Sequence, residues 1–226
     1  MIHQGKKGVR VHHSLAGSEA GDTYTGQAYG DDAPCCSCGG KHPIFETQQL
    51  YEVARTIVDC IIGGPTMMIG VLRSNDGRWV AACSPADGTP GYNAFRGALT
   101  GPNKRFLPEL VVAGNIPYEG VRSFGDVPLP TSFIHSCTVK NAPFAGRCAA
   151  QKLIHYAIRL SLPRPWTMSE VLYDPARAHP NYTDYQTAAS CATCSILLPQ
   201  LLCPLKESTP PKAFTALIRK SWGSAW

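Results

Sequence analysis

Among the residues of this chain, the ten cysteines are the most able to do chemistry, and three have the spacing of metal ligands. Cys191 and Cys194 lie at i and i+3, so on a helix their sulfur atoms emerge from one face, one turn apart. At a helix N-terminus, free backbone N–H groups and the helix dipole favour thiolates. Cys148 begins an earlier predicted helix and has the same advantage. These sulfurs predict a zinc centre with one position open for water, the alternative being three buried cysteines without metal.

A second cluster lies near the N-terminus, where Cys35, Cys36, Cys38 and His42 provide three sulfurs and one imidazole. We expect either a structural zinc site, tighter in spacing than a common zinc finger, or a flexible or disulfide-forming cluster. The clustered spacing and the absence of a secretion signal favour metal thiolates over disulfides. The remaining candidate ligand, His155, is interpreted as a residue on the surface of a helix.

Composition narrows the class of protein. The chain has 226 residues, of which 44% are hydrophobic and 16% charged, as expected for one globular domain with a small appendage. This excludes a disordered chain, a collagen and a coiled coil, and without a long apolar run we expect no membrane span. No apolar stretch follows the first lysines, so we expect no secretory signal peptide. The net charge of +5 is compatible with a polyanionic partner and does not establish one.

The hydrophobic pattern predicts the elements that position the cysteines. Residues 1–43 are predicted to form an irregular arm, and the remainder, 44–226, the folded domain. We predict a helix over 45–62, strands at 66–72 and 78–84 around an Asp-Gly hairpin turn, an insertion over about 85–147, a helix from 148, a strand at 168–174 and a helix from 191. Weaker helical patterns occur at 92–99 and 107–113, a basic helix is predicted at about 211–222, and Pro199 should break or kink the helix from 191. This order predicts an α/β sandwich in which helices cover a mixed sheet.

Two motifs carry a resemblance to a known family. The segment Asn141–Ala150, NAPFAGRCAA, resembles the Asn-Ala…Gly…Cys-Ala-Glu motif of three-cysteine cytidine deaminases, and Ser190–Cys194 resembles their Pro-Cys-x-x-Cys motif. The chain therefore resembles the cytidine deaminase superfamily, in particular bacterial toxin-type deaminases, several of which lack that proline. The resemblance implies a cytidine-deaminase-like α/β/α sandwich with a central mixed sheet and a long insertion before the first zinc-ligand helix. It also implies that Cys148, Cys191 and Cys194 bind the catalytic Zn²⁺ and that Asn141 contacts the target nucleotide.

One departure from the family pattern concerns catalysis. Ala150 stands where the family has the glutamate that acts as general acid and base, and a methyl group cannot carry a proton. Glu170 and Glu207 are the nearest downstream carboxylates, and we expect neither to lie beside the ligand motif. The chain is therefore predicted to be nearly inert, either because the glutamate was deliberately replaced or because the protein is a natural pseudoenzyme. The intact ligand motifs favour replacement.

The insertion suggests the substrate. It mixes aromatic rings that can stack on bases with cations that can neutralise phosphates, including Tyr118 and His135. Arg105, Phe106 and Phe144 are the predicted substrate contacts. The resemblance to toxin deaminases implies DNA, single-stranded or duplex with a flipped base, an immunity protein as partner, no membrane, and action in the cytoplasm by a domain of a delivered toxin. RNA or a free nucleoside as substrate, and a zinc-stabilised nucleic-acid-binding module without activity, stay open.

If replacement of the glutamate is what inactivates the chain, Ala150→Glu will restore turnover, because general acid–base catalysis is worth about 100- to 10,000-fold. Uracil formation in the folded, zinc-loaded variant measures this. Continued inactivity of that variant would contradict the explanation.

Overall fold

The sheet and its helices are seen in a computed structural model that describes residues 22–31, 33–138, 145–177, 179 and 183–206. Its strands are β1 (Tyr24–Tyr29), β2 (Ile44–Thr47), β3 (Met67–Arg73), β4 (Trp79–Cys83), β5 (Leu110–Val112) and β6 (Thr167–Tyr173). Its α-helices are α1 (Gln48–Asp59), α2 (Pro90–Thr100), α3 (Thr131–Ser136), α4 (Ala149–Arg159) and α5 (Ala192–Leu201), and a 3₁₀ helix covers Pro102–Phe106.

The six strands form one mixed sheet in the order β1-β2-β6-β3-β4-β5. The central strand β3 is antiparallel to both β4 and β6, while β2–β6 and β4–β5 are parallel pairs. A mixed sheet combined with helices confirms the α/β class that the sequence predicted.

Helices pack on both faces of this sheet because side chains alternate between the faces along each strand. Ile69 and Val71 of β3 pack with the apolar faces of α1 and α2. Leu72 of the same strand faces the other way, into a second buried cluster that contains residues of α4 and α5. The two cysteine-bearing helices therefore lie on the same side of the sheet.

The first turn of α4 lies close to β3 because position 70 has no side chain. A Cβ atom on Gly70 would come within 2.8 Å of Leu153 Cδ1 and 3.3 Å of Ala149 Cβ. At the next turn, the buried Lys152 ammonium donates hydrogen bonds to the carbonyls of Cys83 and Pro85 at 2.8 and 2.7 Å. These contacts fix the start of α4 relative to β3 and β4.

Several predicted elements are confirmed, and three differ. The strands at 66–72, 78–84 and 168–174 and the helix after Cys148 are present. The helix predicted from 45 begins only at Gln48, because residues 44–47 pair with β1 and β6 as β2, and the Thr47 side chain then caps α1. The helix predicted at 107–113 is wrong, since Leu110–Val112 pairs with β4 as β5.

The region predicted as an irregular arm contains β1, which pairs with β2 at the edge of the sheet. Pro199 lies inside α5 near its C-terminal end, and the helix ends two residues later, at Leu201. The predicted basic helix at about 211–222 lies outside the described residues. None of the helices that the structure describes is long and apolar enough to cross a membrane.

His155 corrects another expectation, because this residue of α4 is buried rather than on the helix surface. Within the described part of the chain, neither of its ring nitrogens has a hydrogen-bond partner. Burial, with a smaller contribution from Arg159, lowers the pKa of His155 to about 4. The imidazole is therefore neutral in the folded protein at neutral pH.

This burial predicts acid sensitivity. An unfolded histidine titrates near pH 6.5, so between pH 6.5 and 4 the unfolded chain binds a proton that the folded chain does not, and stability falls as the pH falls. We expect the free energy of unfolding of the wild type to drop, relative to His155→Leu, by up to about 3 kcal/mol across that window. Urea unfolding at several pH values measures the difference, and a pH-independent difference would contradict the buried, neutral state.

Candidate metal centre

The three predicted zinc ligands converge where the N-termini of α4 and α5 meet. Cys148 is the N-cap residue of α4, Cys191 is the N-cap residue of α5, and Cys194 lies in the first turn of α5. Their sulfur atoms all lie within 4.8 Å of one another, and the Cys148 and Cys191 sulfurs are 3.4 Å apart. Tetrahedral zinc with Zn–S bonds of about 2.3 Å requires sulfur atoms about 3.8 Å apart. The three sulfurs therefore fit a zinc ion.

Hydrogen bonds around these sulfurs favour a negative charge at Cys191. Its sulfur accepts from the Cys194 backbone N–H at 3.4 Å, and contacts with the Cys148 and Cys194 thiols and the α5 amides lower the pKa of Cys191. The hydrogen bonds among the sulfurs correspondingly raise the pKa of Cys148 and of Cys194. The cluster thus shares protons among three sulfurs, and a divalent cation would replace these protons.

Gln151 supports this cluster. It is fully buried on α4, and its Nε2 donates to the Cys194 sulfur at 3.1 Å while its Oε1 accepts from the Gly146 backbone N–H. The side chain therefore orients one predicted ligand and holds the loop that leads to Cys148. Gln151 lies three residues after Cys148, on the same face of the helix, and this spacing is the sequence feature from which its contact with the cluster could have been predicted.

Glu170 overturns the expectation that no downstream carboxylate lies beside the ligand motif. This fully buried residue of β6 pairs with Gly70, and its Oε1 accepts a hydrogen bond of 2.7 Å from the backbone N–H of Ala150. Burial raises the pKa of Glu170 to about 7, and its charge helps to raise the pKa of the Cys148 thiol. Sequence reasoning missed this contact because β6 and α4 meet only in the folded chain. Glu207 lies outside the described residues.

Among the predicted substrate contacts, Arg105 lies away from the cysteines. Arg105 is exposed on the 3₁₀ helix after α2, and Leu107 just beyond it packs with α1 and α2, on the face of the sheet opposite α4 and α5. Phe106 ends the same 3₁₀ helix. Asn141 and Phe144 lie outside the described residues.

A different aromatic pair lies beside the segment that leads to Cys148. The rings of Tyr118 and His135 are 4.6 Å apart between centroids and inclined by 30°. The Tyr118 hydroxyl donates to the Ala145 carbonyl, while His135 is exposed. Both residues belong to the aromatic set of the insertion, but no feature of the sequence distinguishes them from its other aromatic residues, so this pair could not be predicted.

The second cluster differs from its prediction by one residue. Cys35, Cys38 and His42 place their ligand atoms within 4.8 Å of one another together with Cys203, which follows α5, and Cys36 is not part of the group. In a Cys-x-x-Cys turn the first and fourth residues face the same side, and Cys36 instead lies near the buried Cys137, whose pKa it helps to raise. Cys203 was missed because it is distant in sequence.

Comparison of the chain with protein-family models, with curated proteins and with solved structures finds no match. The resemblance to cytidine deaminases therefore rests on the two short motifs quoted above.

The first cluster predicts a definite metal stoichiometry. Cys148→Ser removes one of three sulfur ligands, so we expect the purified chain to lose one bound zinc ion, measured by elemental analysis of the folded protein. Cys137→Ser is the matched control, because Cys137 is equally buried and lies outside both clusters. An unchanged zinc content in Cys148→Ser would exclude this residue as a ligand.

Proposed function

We propose that this protein is a zinc-dependent deaminase that hydrolyses cytosine to uracil in DNA, with Glu170 as the group that carries the proton. The observation that carries the proposal is the convergence of three sulfurs from two helix N-termini beside a buried carboxylate. The fold supports it as well, since the helix–strand–strand–helix–strand–helix order brings both ligand motifs to the same side of the sheet.

The donor set suits a catalytic rather than a structural zinc ion. The three cysteines have no fourth protein ligand among the residues that the structure describes, so one tetrahedral position is left for a small molecule. Zinc bound there would act as a Lewis acid and lower the pKa of water, supplying a nucleophile at neutral pH.

The protein must also move a proton, and Glu170 is placed to do so. In the net reaction, water supplies the oxygen that forms the new C4=O bond of the base, and the exocyclic C4–N bond breaks to release ammonia. The Glu170 carboxylate would take the two protons of the attacking water one after the other, passing the first to the ring nitrogen N3 and the second to the leaving amine. Its hydrogen bond to the Ala150 N–H fixes the carboxylate at the backbone position where the family carries its own glutamate.

This contact gives Ala150 another interpretation. The side chain at position 150 is fully buried, and β6 already supplies a carboxylate hydrogen-bonded to the backbone N–H of the same residue. A second carboxylate at position 150 would put two like charges into one buried site, which is costly. We therefore propose that alanine is compatible with activity because the acid/base group comes from β6.

Charge and ring placement support a polymeric substrate. The net charge of +5 is compatible with a polyanion, and the Tyr118 and His135 rings offer an aromatic surface beside the segment leading to Cys148. DNA rather than RNA follows from the resemblance to toxin-type deaminases. The immunity partner stays a prediction from the same source.

The second candidate function is a zinc-stabilised nucleic-acid-binding module, favoured by the alanine at position 150. It has the same ligands and the same basic charge. It differs in requiring no proton carrier, so substitution of Glu170 would leave nucleic-acid binding intact and there would be no turnover to lose.

The test compares the wild type with Glu170→Gln. The glutamine oxygen can still accept the Ala150 N–H, so the variant retains the hydrogen bond and loses only the proton-carrying group. We expect uracil formation to fall about 100- to 10,000-fold with the zinc content unchanged. Glu46→Gln is the matched control, because Glu46 is a buried carboxylate on neighbouring β2 that bonds to Ser169. Single-stranded DNA, duplex DNA, RNA and cytidine serve as substrates.

The outcomes separate the parts of the proposal. Turnover in the wild type that is lost in Glu170→Gln and kept in Glu46→Gln supports it. Turnover only in Ala150→Glu would retain the deaminase and reject the role of Glu170. Inactivity of all variants on all substrates, despite bound zinc, would reject the enzyme in favour of the binding module. A preference for RNA or cytidine would replace DNA as the proposed substrate and leave the rest of the proposal unchanged.

A further inference from the structure

We propose that Cys35, Cys38, His42 and Cys203 bind a second zinc ion in a closed, structural Cys₃His site that joins the segment between β1 and β2 to the end of α5. This inference does not depend on the deaminase function. It rests on a different set of residues, at the opposite end of α5 from the first cluster.

The ligand atoms are already grouped. All four lie within 4.8 Å of one another, and the Cys38 sulfur is 3.0 Å from His42 Nε2. Cys35 and Cys203 are buried, while Cys38 is exposed and His42 half-buried, so the group lies at the edge of the core. Three sulfurs and one imidazole are a common structural donor set for zinc, and four protein ligands complete its tetrahedron.

The backbone around Cys35 and Cys38 forms a tight turn suited to a Cys-x-x-Cys pair. The Gly39 N–H donates to the Cys35 carbonyl at 2.7 Å, and the Cys35 N–H donates to the Gly40 carbonyl at 2.8 Å. Gly39 has φ +72°, in the left-handed region that glycine adopts without strain. The Gly40 N–H then donates to the Cys38 sulfur at 3.3 Å, a contact that stabilises a thiolate.

Neighbouring side chains can support the ligands. Gln200 lies against the Cys35 sulfur at 3.3 Å and the Ser37 hydroxyl at 3.2 Å. A 180° rotation of the Gln200 side-chain amide exchanges the positions of its oxygen and nitrogen. Its N–H groups would then face the Cys35 thiolate and the Ser37 hydroxyl. Metal ligands in proteins are usually held by such outer hydrogen bonds.

Arg164 balances the charge of the proposed site. Three thiolates and one neutral imidazole around Zn²⁺ carry a net charge of −1. The Arg164 guanidinium is near enough to help lower the pKa of His42, although burial is the larger cause, and it donates to the Leu202 carbonyl, one residue before Cys203, at 3.4 Å. Its position over the Phe124 and Trp166 rings, 4.8 and 5.4 Å from their centroids, holds it there.

The site would connect distant parts of the chain. Cys203 is 168 residues from Cys35 and follows α5, while Cys35–His42 links the edge strand β1 to its neighbour β2. A cross-link that closes a long loop removes much of the freedom of the unfolded chain, so this zinc would stabilise the fold. It would also fix the C-terminal end of the helix whose N-terminus carries Cys191 and Cys194.

The test measures zinc and sulfur ligation without any activity assay. The purified wild type should hold two zinc ions per chain, and Cys203→Ser should hold one and melt at a lower temperature. Cys36→Ser is the matched control, because Cys36 lies beside the ligands but outside the group, and it should keep both ions. A zinc content that is unchanged in Cys203→Ser, or that falls in Cys36→Ser, would overturn the proposed ligand set.

A second measurement covers the case in which Cys203→Ser does not fold. In Cys148→Ser only the proposed site should retain zinc, and X-ray absorption at the zinc edge should show three sulfurs and one nitrogen. Adding His42→Cys to that variant should change the shell to four sulfurs. A zinc coordination shell without three sulfurs would reject the site. So would an intact protein mass two hydrogens lighter, with a disulfide mapped within this cluster. Failure here leaves the Glu170 experiment unaffected, and the reverse also holds.

Discussion

The candidate centre depends on one packing constraint, the close approach of the first turn of α4 to β3. Gly70 leaves room for Ala149 and Leu153, and the buried Lys152 ammonium holds the next turn against the carbonyls that follow β4. The first backbone N–H groups of a helix have no partner within the helix, so they can donate hydrogen bonds to side chains of a neighbouring strand. Here the Ala150 N–H donates to the carboxylate of Glu170 on β6. The position of Cys148, the N-cap residue, follows from the same contact.

The two cysteine clusters differ in the chemistry that their surroundings permit. At the first, three sulfurs at two helix N-termini lie beside a buried carboxylate, an arrangement that would combine Lewis-acid and proton-transfer chemistry if the proposed zinc is bound. At the second, four candidate ligand atoms lie within 4.8 Å of one another, and the Arg164 guanidinium would offset the net charge of the proposed zinc site.

The same fold explains why Ala150 and Glu170 must be considered together. The Glu170 carboxylate of β6 accepts the backbone N–H of Ala150 in the first turn of α4, so a carboxylate lies beside this residue although its own side chain is a methyl group. Under the proposed function, a residue that looks inactivating in a linear motif is compensated from a neighbouring strand. A sequence motif shows which residues are adjacent along the chain, whereas catalysis depends on which atoms are adjacent in space.

The sequence alone determined the local features: the β3–β4 hairpin from its Asp-Gly turn, the amphipathic helix α4, and the placement of Cys148 and Cys191 at helix N-termini. These follow from turn chemistry, periodicity and capping, which act over a few residues. Only the tertiary structure decided that Leu110–Val112 is a strand, that Glu170 contacts Ala150 and that Cys203 replaces Cys36 in the second cluster. Each depends on partners tens to more than a hundred residues away, whose approach is set by sheet pairing and core packing rather than by local pattern.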